Sequence, residues 1–132
     1  MFRRLAVLLL CLASTALLGG DIRVRGSLVG SVESSGDVRI RGSLAGRFES
    51  GGDIRVRGSL VGKIESDGTI RKNGSIVGRV ESDGALRVNG SLRGKVEGDG
   101  DIRKDGSLIG SARGVPRAQA AALFFFDFFD LR

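Results

Sequence analysis

The residues able to do chemistry in this 132-residue chain are Asp, Glu, Lys, Arg and Ser. His, Trp and Tyr are absent, and the single Cys, Cys11, lies in an apolar N-terminal run. Covalent catalysis requires a nucleophile beside a general base, and no such pair is visible. We therefore predict that the protein is not an enzyme, and we assign it no catalytic, cofactor-binding or metal-binding residues.

Three carboxylates come close together in the segment Glu97-Gly98-Asp99-Gly100-Asp101. Ca²⁺ prefers clusters of oxygen ligands, but the spacing does not continue into an EF-hand loop. A solvated turn explains the segment, so we predict neither a metal nor any other cofactor there.

Basic residues outnumber acidic ones, with 21 Lys and Arg against 15 Asp and Glu and a formal net charge of +6. Nucleic-acid binding is not predicted, because Phe48 is the only aromatic residue within residues 20–115 and stacking platforms are missing. Our main prediction is a structural or binding module of the cell envelope or exterior. The alternative is a binder of anionic glycan or lipopolysaccharide through Arg25, Arg41 and Arg57.

The N-terminal segment has the layout of a secretory signal peptide. Arg3 and Arg4 form a basic start, an apolar run follows, and Ser14 and Ala16 are small residues placed before a candidate cleavage site. We predict a signal peptide over residues 1–20 and a secreted or periplasmic protein with no membrane span after the signal is removed. The partner is unknown, with an envelope component or an anionic polymer as candidates.

Residues 20–115 contain six copies of a 16-residue repeat, and such internal periodicity determines the fold class. Positions 1, 7 and 11 of the repeat are always Gly, position 4 is always Arg, and position 8 is always Ser. Position 14 is Glu in five copies and Arg113 in the last. Position 1 is occupied by Gly20, Gly36, Gly52, Gly68, Gly84 and Gly100, and position 9 by Leu28, Leu44, Leu60, Ile76, Leu92 and Leu108.

Each copy carries two turn signals, exemplified by Asp67-Gly68 and Asn73-Gly74. Such dipeptides between short β-branched stretches are typical of β-hairpins, so we predict about twelve short strands. Pairing of Glu33 with Arg39 across the turn at Gly36 joins opposite charges. For the other turn we predict a three-residue loop that ends in a left-handed Gly, because a two-residue loop moves position 9 onto the Arg face.

Two architectures are compatible with the repeat. In a β-solenoid, equivalent residues stack about 4.8 Å apart, so the position-4 arginines form an unfavourable column of like charge. An antiparallel meander of hairpins closed around an axis avoids that column and leaves no exposed sheet edges. We favour the closed meander, with the position-9 side chains buried at its centre and the position-11 glycines allowing close backbone approach.

The run IRKNGSIVGRVESDGALRVNGSLRGKVEGDG resembles the β-flower hairpin-repeat proteins secreted by bacteria. The tail from Gly114 to Phe126 resembles the end of the five-fold members of that group, with a Gly, a basic stretch, small residues and a Phe run. The resemblance implies a closed hairpin array and brings no catalytic residues. It departs at position 4, where relatives often have an aromatic residue.

The C-terminal segment, residues 116–132, holds five of the seven Phe residues of the chain. Pro116 suits the start of a helix, and residues 118–122 are mostly Ala. We predict a cap that packs on the ring of hairpins. An exposed docking segment for a membrane or partner is the alternative, because exposed apolar patches mark interaction sites.

Overall fold

A computed structural model describes residues 19–132. The predicted signal peptide falls mainly on residues 1–18, which lie outside the described residues. The elements are β1 (Gly20–Val24), β2 (Ser27–Val32), β3 (Asp37–Ile40), β4 (Ser43–Phe48), β5 (Asp53–Val56), β6 (Ser59–Ile64), β7 (Thr69–Lys72), β8 (Ser75–Val80), β9 (Ala85–Val88), β10 (Ser91–Val96), β11 (Asp101–Lys104), β12 (Ser107–Ser111) and the helix α1 (Arg117–Phe125).

The twelve strands form one closed antiparallel sheet in which each strand pairs with its neighbours in sequence. Closure is made by β1 and β12, where Arg23 lies opposite Ser111 and Val24 opposite Gly110. The prediction of an all-β meander of six hairpins closed around an axis is confirmed. The solenoid alternative is excluded, because its coils require parallel pairing and every ladder here is antiparallel.

The turn inside each hairpin has two residues, so the predicted three-residue loop is wrong. Ile40 pairs with Ser43 across Arg41-Gly42, and both turn residues have positive φ, 51° and 82°. These signs match the type I′ turn that suits the twist of paired strands. A register shift follows between Val38 and Arg39, where Ala45 is the extra residue of a β-bulge.

Which side chains point into the barrel is determined by the two-residue turn together with the bulge. Ahead of it, Arg39 lies opposite Leu44, and beyond it Val38 lies opposite Gly46. The position-3 side chains are therefore the ones at the centre, each 0% exposed: Ile22, Val38, Ile54, Ile70, Leu86 and Ile102. The predicted burial of position 9 is wrong, because those six side chains lie on the outer face and are 53–59% exposed.

The helix α1 and the residues after it fill the interior of the barrel. Ala120, Ala121 and Ala122 are 0% exposed and belong to the same core cluster as the position-3 side chains. From Ala120 onward the helix contains only apolar residues, and a helical segment that is apolar on all sides is expected to be buried. Within residues 19–132, no helix is long and apolar enough to cross a membrane.

Five Phe rings lie against five glycines of position 11. A Cβ atom built on any of these glycines would fall 2.5–2.7 Å from the facing ring, closer than real Cβ atoms approach. The pairs are Phe124 with Gly110, Phe125 with Gly94, Phe126 with Gly78, Phe128 with Gly62 and Phe129 with Gly46. Successive rings thus contact successive hairpins around the barrel, from hairpin six to hairpin two. Because position 11 is Gly, the space that a side chain would fill is occupied by a ring.

Candidate functional site

The position-4 arginines lie on the outer face and join neighbouring hairpins. Arg71 Nε donates to Glu65 Oε2 at 2.7 Å, and Arg71 Nη1 donates to the carbonyl of Gly74 in the turn of its own hairpin at 3.3 Å. The ion pair occurs five times, at 2.7–3.1 Å, as Arg39–Glu33, Arg55–Glu49, Arg71–Glu65, Arg87–Glu81 and Arg103–Glu97. The predicted pairing of Glu33 with Arg39 is therefore confirmed as a side-chain contact, although Ser31 is the residue opposite Arg39 in the ladder.

These contacts account for the Arg at position 4 in five of the six copies of the repeat. Each ion-paired guanidinium is held by a carboxylate, and four of the five also reach a turn carbonyl. The paired side chains are 35–42% exposed, and such partly exposed pairs contribute about 0.2–1 kcal/mol each. Position 4 is thus a structural position, and a site for a ligand or partner is to be sought elsewhere on the outer face.

The closing junction between β12 and β1 departs from this pattern. Position 14 of the last copy is Arg113, so the residue that would accept from Arg23 is a second cation. Arg113 is 3.9 Å from Asp101, and the ion pairs found among residues 19–132 do not include Arg23. Five junctions are joined by a turn and an ion pair, whereas the sixth has neither.

An apolar belt encircles the outer face beside these arginines. It consists of the position-9 side chains, which we call the leucine belt: Leu28, Leu44, Leu60, Ile76, Leu92 and Leu108. Each is opposite the Arg of its own hairpin in the ladder, as Leu60 is opposite Arg55. Aliphatic side chains that are more than half exposed contribute little to the core, yet position 9 is Leu or Ile in all six copies. The belt is the feature of the outer face that the fold itself does not explain.

The two ends of the barrel carry different charges. One end, the arginine end, is formed by the two-residue turns, whose position-6 residues are Arg25, Arg41, Arg57, Asn73, Asn89 and Asp105, all exposed. The other end, the aspartate end, is formed by the turns that join hairpins, whose position-16 residues are Ser35, Gly51, Asp67, Asp83 and Asp99. Each of the three aspartates is exposed.

Backbone groups orient the carboxylates of the aspartate end. The amide N–H groups of Thr69, Ala85 and Asp101 each donate to the aspartate two residues earlier, at 3.0 Å. The hydrogen bonds from Thr69 and Ala85 lower the pKa of Asp67 and Asp83 respectively. Both carboxylates are therefore ionised at neutral pH.

The acidic cluster predicted to be a solvated turn is part of this end. Ligand atoms of Glu97, Asp99 and Asp101 lie within 4.8 Å of one another. Each of the three already has a protein partner: Arg103 for Glu97, the amide of Asp101 for Asp99, and Arg113 for Asp101. The cluster therefore points to no ligand beyond the protein itself.

The leucine belt is the functional feature that sequence reasoning missed. The available signal was the alternation of side chains: a two-residue loop places position 9 on the Arg face, and the Arg-Gly and Asn-Gly turns are the type that such loops prefer. A three-residue loop would have turned the position-9 side chains inward, and the two-residue loop of the structure turns them outward.

Comparison with protein families gives a match over the repeats. The family described as "Bactofilin: Polymer-forming cytoskeletal" matches residues 41–115, which is more than half of the chain. The chain therefore belongs to the bactofilin family. No curated protein and no solved structure gives a significant match. Of the expected resemblance to β-flower proteins, the structure shows the closed antiparallel array of hairpins but not specifically a β-flower.

Family membership corrects the predicted localisation. A secreted or periplasmic protein was expected from the basic start and the apolar run, but the family is one of polymer-forming cytoskeletal proteins. A subunit of an internal polymer is not exported, so that prediction is wrong. Membership also indicates a structural role, in agreement with the prediction of a structural module.

Proposed function

We propose that this protein is a non-catalytic structural subunit that self-associates through the outer face of its barrel, with the leucine belt as the contact between copies. The observation that carries the proposal is the set of six aliphatic side chains, 53–59% exposed, at one repeat position. The polymer-forming character of the family supports a second copy of this chain as the partner.

The belt suits contact between like subunits because it is the same all round the barrel. Five of the six belt side chains are flanked by an Arg that is already paired within its own subunit, as Arg71 is with Glu65. Packing another copy against the belt therefore removes apolar surface from water without leaving those charges unpaired. Burial of apolar area is the main favourable term in such association, and water-exposed apolar patches of this kind mark contact sites.

The test replaces four belt residues by Gln in the full chain: Leu44→Gln, Leu60→Gln, Ile76→Gln and Leu92→Gln. The matched control carries Gln one residue earlier in the same strands, as Ser43→Gln, Ser59→Gln, Ser75→Gln and Ser91→Gln. Sedimentation and electron microscopy measure assembly, and circular dichroism measures folding. We expect the belt variant to fold but to lose most sedimentable polymer, whereas the control assembles as the wild type does.

A belt variant that assembles normally contradicts the belt as the contact. A wild-type chain that stays monomeric over a wide range of concentration and salt contradicts self-association itself. The sequence-based alternative is binding of an anionic glycan or lipopolysaccharide through Arg25, Arg41 and Arg57, and no contact among residues 19–132 favours it. Measuring the binding of an anionic polysaccharide to the belt variant, which is expected not to assemble, tests this alternative separately from self-association.

A further inference from the structure

The closing junction between β12 and β1 has a cation where the other five junctions have a carboxylate. At each of those five, the position-4 Arg donates through Nε to the position-14 Glu at 2.7–3.1 Å. At the sixth, Arg23 is the position-4 residue and Arg113 occupies position 14. The chain thus shows five times which group an Arg at this position binds, and position 14 does not supply that group at the closing junction.

The side chains at the closing junction are correspondingly open to solvent. Arg23 is exposed, whereas the five ion-paired arginines are only partly so. Arg113 is 73% exposed, with Asp101 at 3.9 Å as its partner. Residues 1–18 contain neither Asp nor Glu, so they hold no side chain that could replace the position-14 Glu. A carboxylate that takes this place therefore has to come from outside the chain or from elsewhere in residues 19–132.

The backbone also departs from the repeat at this junction. Across each of the five joining turns, the amide of position 14 donates to the carbonyl of position 2 in the next hairpin at 2.8 Å, as Glu65 does to Thr69. The equivalent bond, from Arg113 to the carbonyl of Asp21, is not among the backbone hydrogen bonds found within residues 19–132. The chain instead leaves the sheet in a turn that the amide of Val115 closes at 3.2 Å.

These departures leave a groove at the junction, with a volume of about 620 Å³. Asp21 is the one acidic residue of the lining, and it takes part in none of the ion pairs found within residues 19–132. With two arginines against one aspartate, the lining has a net positive charge and attracts anions. The groove is lined by Gly19, Gly20, Asp21, Arg23, Ser111 and Arg113.

We propose that the closing junction binds an acidic peptide, with a Glu or Asp side chain of that peptide between Arg23 and Arg113. A guanidinium group is planar and binds a carboxylate through two parallel N–H donors. The carbonyl of Asp21 accepts from a backbone amide of the same peptide, as the position-2 carbonyls of the other hairpins accept from the amide of Glu. A peptide offers both groups, whereas a free carboxylate offers one. The inference is independent of the leucine belt, because none of the lining residues belongs to it.

The probe is a capped, fluorescently labelled peptide, Val-Glu-Ser-Asp-Gly, which has the sequence of residues 80–84. Its control carries Glu81→Gln and Asp83→Asn. Binding to the full chain is measured by fluorescence anisotropy and by calorimetry. We expect saturable binding of the acidic peptide and none of its control. At about 1 M salt, where charges act over only about 3 Å, binding of the acidic peptide is expected to be lost.

The main variant is Arg113→Glu, which gives the closing junction the residue that the other five have. We expect Arg23 to pair with the new carboxylate and the binding of the peptide to be abolished. The matched control is Arg93→Glu, which makes the same change of charge at an exposed position of another hairpin and should bind the peptide normally.

A second pair of variants removes a position-4 guanidinium group from two different junctions. Arg23→Gln is expected to weaken binding of the peptide by about two- to five-fold, the worth of one exposed ion pair. Arg39→Gln, at a junction that has its own Glu33, should leave the binding unchanged. Circular dichroism establishes that each variant is folded.

The outcomes separate this site from simpler explanations. An Arg113→Glu variant that is folded and binds the peptide as the wild type does overturns the proposal. Equal loss of binding in Arg93→Glu or Arg39→Gln shows only a general attraction to positive charge and overturns it too. Acetate that competes as strongly as the peptide assigns the groove to free carboxylates in place of a peptide.

Discussion

Each hairpin carries an aliphatic residue at position 3 on the inner face and another at position 9 on the outer face, and only the first is buried. Ile54 at position 3 is 0% exposed, and Leu60 at position 9, which lies only one place from it in the ladder, is 56% exposed. The two-residue turn makes the difference, because it places Leu60 opposite Arg55, and Ile54, as the neighbour of Arg55 in its strand, points to the other face. Constancy of a residue across repeats therefore indicates a constraint, but it does not tell whether the constraint is packing within the barrel or contact outside it.

The largest expected effect concerns what the inner face encloses. Deletion of residues 117–132 removes the helix and five Phe rings, of which Phe126, Phe128 and Phe129 are 6–8% exposed. Burial of each ring contributes about 1.5–3 kcal/mol, so the loss is comparable with the whole stability of a small domain, about 5–15 kcal/mol. We expect unfolding or aggregation, measured by thermal melting and binding of an apolar dye. Removal of the exposed Arg132 alone is the control, and an unchanged melting temperature after the long deletion would show that the segment is a docking device.

A direct test of the two faces compares the same substitution at both. Ile54→Asp places a charge in the dry interior, at a cost far above the available stability, so we expect this variant to be unfolded by circular dichroism. Leu60→Asp places the charge in water beside Arg55, and we expect a folded protein with nearly unchanged melting temperature. A folded Ile54→Asp together with an unfolded Leu60→Asp would reverse the assignment of the faces.

The fit between glycines and rings is tested by a single methyl group. In Gly62→Ala the new Cβ would meet Phe128 Cε1 at 2.6 Å and also the backbone carbonyl oxygen of Arg71 at 2.5 Å, and overpacking of this kind costs about 1–3 kcal/mol. The control is Gly51→Ala, because no atom lies within 4 Å of its Cβ and its φ is not in the left-handed region. Chemical denaturation should show a loss for the first and an equal or slightly higher stability for the second.

The outer ion pairs should have small effects that depend on salt. Glu65→Gln breaks the 2.7 Å pair with Arg71, and we expect a loss of about 0.2–1 kcal/mol that shrinks as salt is added. Arg113→Glu introduces at the closing junction the residue that position 14 has elsewhere, and a gain of similar size is expected. Denaturant titrations at low and high salt measure both, and a loss on Arg113→Glu would show that the junction is not equivalent to the other five.

The smallest effect is a dependence on pH at the aspartate end. The amide of Thr69 lowers the pKa of Asp67 in the folded protein. The stabilisation is therefore fully present above the unfolded pKa, about 3.9, and is lost as the pH falls through the lower folded value. The difference in unfolding free energy between wild type and Asp67→Ala should be constant near neutrality and vanish in acid. A difference that grows in acid would contradict this.

Local signals in the sequence were sufficient for much of the architecture. Asn73-Gly74 and Asp67-Gly68 mark turns because Asn, Asp and Gly tolerate left-handed backbone, and the structure has turns at both places. The pairing of Arg39 with Glu33 was also found from the sequence, since six residues across one tight turn bring the two side chains together. The closed antiparallel sheet followed from these hairpins and from the cost of unpaired edges.

The charged residues of the arginine end and the aspartate end are visible in the sequence, but their grouping at two ends of the barrel is not. The sequence indicates a basic group made of Arg25, Arg41 and Arg57. It indicates only turns at Asp67, Asp83 and Asp99. Their relation depends on which turns share an end and on the direction in which hairpins follow one another around the axis. Both follow from the closed topology, and neither is visible in a single repeat.

The sequence by itself determined the number of hairpins, the places of their turns and the ion pairs between them, because each depends on residues within one repeat length. Only the tertiary structure decided that the face carrying Ile54, and not the face carrying Leu60, is the inner one, and that Phe128 lies against Gly62. The bulge, which brings Gly62 and not Val61 opposite Ile54, has no residue signature of its own. It is selected because six hairpins together must close around a helix and five rings, and that requirement is a property of the whole barrel.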